Sequence, residues 1–311
     1  MTIQQADNEQ APQATPAPAA GGRRPGRAPR RSTAVTAPSR ARATATYVWL
    51  VVAAVILLFP VLLTVVGGFV QTFALVHQPP GLFSGHYTLD SYHNALTQRV
   101  VPLLPAFANS LFVAGVIMLG NLVTSCLAAY ALVFLKIPLR TPLFWLFLAT
   151  IMIPYEAIVV PNALFVRVLG LGDHRIALVL PFLANGFGVF LMRQAFRQFP
   201  VELHQAAQLD GCGHLRFLNS IVLPTVRPAL TALAVWSFLQ GWNMYFWPLI
   251  ISSTNNSLNT LQTAIFSLKN NDQSAPDLLL AGIAITLIPT LLLVIFGQRW
   301  LVRGFTAGAV K

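Results

Sequence analysis

Six stretches of this chain are too long and too apolar for water to host. They run over about residues 47–70, 107–134, 142–166, 175–193, 229–251 and 278–298. A helix needs about 20 apolar residues to cross the hydrocarbon core of a bilayer, and every stretch is close to that length or longer. In lipid each backbone N–H and C=O must be paired within its own element, so the runs predict spanning helices. The fourth is the shortest, and Gly186 and Gly188 lie inside it. Composition agrees with this reading. Only 9% of residues are charged, against about 25% in a soluble domain.

Positive charge orients the runs. With the N-terminus inside, an even number of spans returns the C-terminus to the same side. Inside segments then hold the seven arginines from Arg23 to Arg42, with Lys136, Arg140, Arg193, Arg197, Arg216, Arg227, Arg299, Arg303 and Lys311. Outside segments hold Arg99, Arg167, Arg175 and Lys269. Lys and Arg gather on the cytoplasmic side of spanning helices, so both termini and residues 200–228 are expected in the cytoplasm. The net charge of +11 is thereby explained without nucleic acid.

Residues 1–46 are rich in Ala, Pro, Arg, Gln and Thr. They bury too little apolar surface to offset their ordering entropy, and a disordered basic cytoplasmic tail is expected. Its arginines also suit anionic lipid at the inner leaflet. The leader is too long for a signal peptide, so the first run is read as an uncleaved helix. Residues 47–311 then form one six-helix transmembrane domain. Cys126 and Cys212 have neither disulfide nor metal-ligand spacing.

Residues 200–228, PVELHQAAQLDGCGHLRFLNSIVLPTVRP, form a polar segment between two apolar runs. Pro200 suits the first turn of a helix, where its missing N–H is not needed, and Glu202 suits the positive end of the same turn. Gly211 after Asp210 is placed to end that helix in a left-handed conformation. A second helix is expected from His214 to Val222, with Leu215, Leu218 and Val222 on one face and Pro224 ending it. An amphipathic connector resting on lipid is the plain alternative, but it has little use for a turn in its middle.

The series Ala206-Ala207, Gly211, Phe217, Ile221 and Leu223-Pro224 resembles the cytoplasmic coupling loop of ABC importer permeases. In that family the loop reads Glu-Ala-Ala. Here Gln205 stands at the Glu position, which removes a charge and leaves an amide able to hydrogen-bond. MIPYEAIVVP at 152–161, GWNMYFWPLI at 241–250 and RGFTAGAVK at 303–311 are also similar to carbohydrate-type permeases. The resemblance covers roughly residues 47–311. It is nearest to the smaller permease of glycerol-3-phosphate and glycerophosphodiester importers, with the smaller maltose permease a more distant relative.

The resemblance implies a type I ABC importer permease fold, all-α, in the bacterial inner membrane. It implies a second homologous permease, two ATPase subunits that bind ATP and Mg, and an extracytoplasmic substrate-binding protein. The chain itself would be non-catalytic and cofactor-free, and it holds no G-x-x-x-x-G-K-[ST] phosphate loop. The docking residues implied are Glu202, Gln205, Ala206, Ala207, Asp210, Gly211 and Phe217. Half of a pathway for glycerol-3-phosphate or a diester such as glycerophosphocholine is expected, with a disaccharide permease of maltose or trehalose type as the alternative.

Polar residues within the runs are the pathway candidates. Glu156 is the one acid in an apolar run, and such a group normally faces a bundle interior or a wet cavity. It could meet substrate hydroxyls or a choline-like cation, or simply pack against a partner helix. Trp242, Asn243, Tyr245 and Trp247 form a second cluster able to stack on sugars or cradle quaternary ammonium groups. Trp247 also fits an interfacial anchor. Asn162 and Asn109 are further candidates that could equally link helices. The six histidines lie on polar segments and read as solvated. The long outside segments 71–106 and 252–277 read equally as connectors or as faces for an extracytoplasmic partner. A membrane enzyme is disfavoured because Glu156 has no second acid or nucleophile beside it. A secondary transporter is disfavoured by the span number.

Overall fold

A computed structural model describes residues 40–306 except 73, 74, 76–86, 98–102, 173, 254 and 272–274. The chain divides into two compact units, Met1–Val52 and Ala53–Lys311. The described part of the first unit, residues 40–52, is helical. Among the described residues there is no strand beyond a single bridge between Val70 and Tyr87.

The helices are α1 (Arg40–Gly67), α2 (Asp90–Thr97), α3 (Leu103–Phe134), α4 (Arg140–Ile151), α5 (Tyr155–Val168) and α6 (Gly186–Arg197). They continue with α7 (Val201–Leu209), α8 (His214–Thr225), α9 (Arg227–Trp242), α10 (Phe246–Ile251), α11 (Leu261–Asn271) and α12 (Pro276–Thr306). Helix α1 begins at Arg40, ahead of the expected boundary at residue 47. Ala and Arg are strong helix formers and carry the helix beyond its apolar run. The rest of the expected tail, His77, His86 and residues 307–311 lie outside the described residues.

Only the first, second and sixth runs form single helices long enough to span. The other three are broken. The third bends by 98° between α4 and α5. Pro154 disfavours helical backbone at the residue before it, so α4 closes with Met152 N–H donating to Ala149 O at 3.1 Å. In the fourth, 3₁₀ turns at Arg175–Leu178 and Leu180–Phe182 meet α6 at 48°. Asn185 restarts the helix by accepting from Phe187 N–H at 2.7 Å. In the fifth, α9 stops at Trp242 and α10 begins at Phe246. Pro248 lacks an N–H and its ring excludes the carbonyl four residues back, at Met244. The first turn of a new helix is where that proline is tolerated.

Helix α3 is the central post, packed along α9 and α6, while α12 packs on α9, α2 and α11. A Cβ on Gly241 of α9 would lie 2.8 Å from Ala114 Cα of α3. Small residues let membrane helices approach this closely. The polar segment 252–277 is no loose connector. Its helix α11 buries Leu261, Ala264 and Leu268, and Asn109 donates to Ser257 O at 2.8 Å and Asn259 O at 2.9 Å. Asn109 is therefore a tie between α3 and this segment. Asp277 similarly accepts from Ser91 Oγ at 2.6 Å and from Thr72, fastening α2 to α12.

Gly241→Leu should force α3 and α9 apart and lower stability by about 1–3 kcal/mol. Gly115→Ala, with nothing within 4 Å of the added methyl, should leave it unchanged or raised. Thermal unfolding in detergent separates the two.

Candidate functional site

The three helix breaks meet at one cavity of about 730 Å³, within the range of about 300–1,000 Å³ usual for small-molecule sites. The first break contributes Ile153, Pro154, Tyr155 and Glu156, and the second contributes Ala184, Asn185 and Gly186. The third contributes Asn243, Met244, Tyr245 and Phe246. Helix α3 closes one side with Ile117 and Asn121, and α9 adds Trp236 and Gln240. Glu156 is the one charged residue of this lining.

Side-chain polar atoms reach backbone groups at the second and third breaks. Thr124, on α3, has its hydroxyl 2.9 Å from Leu183 O. Asn185 caps α6 from inside the cavity wall. Asn243 closes α9, its N–H and its side-chain amide both donating to Leu239 O, at 3.0 and 2.9 Å. Glu156 is exposed in the first turn of α5, where unpaired N–H groups favour a carboxylate.

The structure separates the residues singled out from sequence. Glu156, Asn243 and Tyr245 line the cavity. Trp242 and Trp247 do not, because both are buried, one on each side of the break at 243–245. Trp242 is 1% exposed and donates from Nε1 to Thr286 O at 3.3 Å. Trp247 is fully buried and donates to Ala177 O at 3.1 Å, so it is neither pathway lining nor interfacial anchor. Asn162 is half-buried on α5 and outside the lining. Asn121 was not anticipated. It is 3% exposed, lines the cavity, and its Oδ1 has no partner among the described residues. An amide in the middle of a 32-residue apolar helix was the available signal.

The second locus is the pair α7–α8. Gly211 has φ 68°, the left-handed value expected for it. Gly211 N–H donates to Gln208 O at 3.1 Å and Cys212 N–H to Ala207 O at 2.9 Å. These are the two bonds of a Schellman motif. Pro200 sits one position earlier than expected, at the N-cap. Pro224 does not end the second helix, which runs to Thr225. A π turn over Leu218–Val222 widens the helix just before the proline, relieving the clash of its ring with the preceding turn. That turn also changes the face: Leu218 and Val222 are buried, and Leu215 is exposed.

Glu202, Gln205, Ala206, Asp210 and Gly211 are exposed along one arm, while Ala207 is buried. Leu209 is 90% and Leu215 70% exposed, an apolar pair flanking the turn that the sequence reading missed. Phe217 is 2% exposed and faces inward, its ring within 5.0–6.3 Å of His204, Phe134, Phe199 and Tyr130. It pins α8 to the helix bundle and offers no surface to a partner. His204 joins this aromatic cluster, and His214 Nδ1 lies 2.8 Å from Tyr130 Oη. Neither of these two histidines is merely solvated.

Phe217→Ala should cost about 3–5 kcal/mol, the range for emptying a buried aromatic site. Leu209→Ala should stay within about 0.5 kcal/mol of the parent. Melting curves of the two purified variants check the assignment of inward and outward faces.

Residues 111–307 match the family described as binding-protein-dependent transport system inner membrane component. The sn-glycerol-3-phosphate transport system permease protein UgpE of Yersinia pestis bv. Antiqua is 34% identical over 265 residues, covering 83% of this chain and 94% of the relative. UgpE of Rhizobium meliloti is 34% identical over 266 residues with the same coverage. A chain of a bacterial ABC transporter involved in the import of the acidic polysaccharide alginate has the same fold. Its TM-score is 0.72 at 22% identity, over 85% of this chain and 98% of that one.

Proposed function

The chain belongs to the binding-protein-dependent inner membrane components of ABC importers, and on that premise we propose how it transports and what. The cavity where the three broken helices meet is its half of the translocation pathway. The carrying observation is that the breaks at 152–154, 183–185 and 243–245 face the same space. Irregular backbone at membrane depth persists where it is buried in protein or lines a wet cavity. A second homologous permease supplies the other half, and an extracytoplasmic binding protein delivers the substrate. The excess of Lys and Arg flanking one set of loops puts both termini and α7–α8 in the cytoplasm. There the exposed arm with Glu202, Gln205, Asp210, Leu209 and Leu215 docks on an ATPase subunit, which binds ATP and Mg. The domain boundary that fits this reading is the start of α1, with the basic segment before it as a tail.

The substrate is glycerol-3-phosphate or a glycerophosphodiester. Relatives named for sn-glycerol-3-phosphate transport support this class, and a disaccharide is not favoured. The lining of this chain bears on the choice within the class. It holds one carboxylate, Glu156, no Lys, Arg or His, and the rings of Tyr155, Phe187, Trp236 and Tyr245. A carboxylate among aromatic rings suits a quaternary ammonium, which favours glycerophosphocholine over a bare phosphate monoester.

The test is ATP hydrolysis and uptake by the reconstituted complex with its binding protein. Stimulation by glycerophosphocholine and glycerol-3-phosphate, and none by maltose or trehalose, is expected. Glu156→Gln should reduce glycerophosphocholine uptake roughly tenfold, equivalent to about 1.4 kcal/mol, and spare glycerol-3-phosphate. Equal loss for both substrates would contradict the cation role. Gly211→Pro should leave the chain in the membrane and abolish uptake, since proline cannot adopt the left-handed turn.

A further inference from the structure

A second, smaller cavity of about 390 Å³ lies at the junction of α3, α4, α6 and α7, away from the proposed pathway. Arg140, Arg193 and Arg197 all line it. None forms an ion pair with a carboxylate among the described residues, and Arg140 and Arg197 both act on Arg193 as like charges. Three guanidinium groups held together without an anion repel one another, which points to a counter-charge from outside the chain. Arg193 is fixed in place: its Cζ lies 3.8 Å from the centre of the Phe144 ring. Its Nε is buried with no hydrogen-bond partner among the described residues.

Two backbone features add to the arginines. Helix α4 starts at Arg140 and Thr141, both in the lining, and no side chain caps its N-terminus. Free N–H groups at such an end attract anions. Leu139, just before it, is held at φ 58°, and it is the only non-glycine residue with positive φ among the described residues. Strain of this kind persists where surrounding structure demands it, often at a ligand site. The other walls are mainly apolar, with Leu132, Phe134, Phe196 and Phe199, and His204 completes the lining.

We propose that this pocket binds a phosphate group, with the guanidinium forks of Arg140, Arg193 and Arg197 as its ligands. Guanidinium forks match phosphate oxygens two at a time. The apolar walls beside the forks favour a phospholipid headgroup over free phosphate, because they suit the glycerol and first acyl carbons. The pocket lies at the ends of spanning helices where inside-facing arginines gather, the level of headgroups in the anionic leaflet. That leaflet assignment rests on the proposed orientation, whereas binding itself does not.

The test uses the assembled transporter in nanodiscs of phosphatidylcholine with or without phosphatidylglycerol, and native mass spectrometry counts retained lipid. Arg140 and Arg197 are exposed, so R140Q/R197Q should fold. It should lose preferential phosphatidylglycerol retention by roughly thirtyfold, as expected for two surface charges. R167Q/R175Q removes the same charge elsewhere and should retain the lipid. Equilibrium dialysis with orthophosphate forms the other arm. A difference there, with lipid retention unchanged, would keep the phosphate site and assign it to free phosphate. No difference in either arm, or equal lipid loss in both double variants, would overturn the proposal. So would loss of the ATPase subunits from R140Q/R197Q with lipid retained, which would make the pocket a protein-docking surface.

Discussion

Lipid offers a peptide group no hydrogen bond, and three of the six apolar runs meet that constraint with a broken helix. Pro154, Asn185 with Gly186, and Pro248 each interrupt a helix. At two of them a side chain serves the backbone: Asn185 accepts from Phe187 N–H, and the Asn243 amide donates to Leu239 O. The breaks then share one cavity, and two polar residues of its lining, Asn185 and Asn243, also cap and close helices.

The two loci are joined by a single rigid element. Helix α9 starts at Arg227, next to the end of α8, and stops at Trp242, beside the break at Asn243. Its 16 residues span about 24 Å at the usual helical rise. Helix α8 meets it at 87° and is held to α3 by Phe217, His204 and His214. In the transport reading, movement of the docking arm is passed to the cavity through α9 and not through a flexible loop. The tight contact of Gly241 with Ala114 keeps the far end of that helix registered against α3.

Much of this was legible in the sequence. The number of apolar runs, the left-handed Gly211 and the cavity position of Glu156 all follow from length, turn chemistry and the cost of charge in lipid. What escaped was set by geometry that composition does not encode. A run of apolar residues looks the same whether its helix is continuous or bent by 98°, so the breaks were invisible as breaks. Asn243–Tyr245 interrupts the fifth run, and Trp242 and Trp247 on its two sides are both buried in the core. Around the π turn before Pro224 the outcome is the opposite for Leu215, which is left exposed while Leu218 and Val222 are buried. Asn121 escaped because one amide in a long helix reads equally as a helix tie, which is the role that Asn109 does play.

The central claim is that the three breaks wall a substrate pathway. Single cysteines placed at Asn121, Glu156, Asn185 and Asn243, with Cys126 and Cys212 replaced, test it most directly in the assembled transporter. A membrane-impermeant thiol reagent should label all four during turnover, with labelling slowed by saturating substrate, and should spare cysteines at Trp242, Trp247 and Asn162. Labelling that ignores substrate, or that reaches the core positions as readily as the cavity ones, would contradict the account.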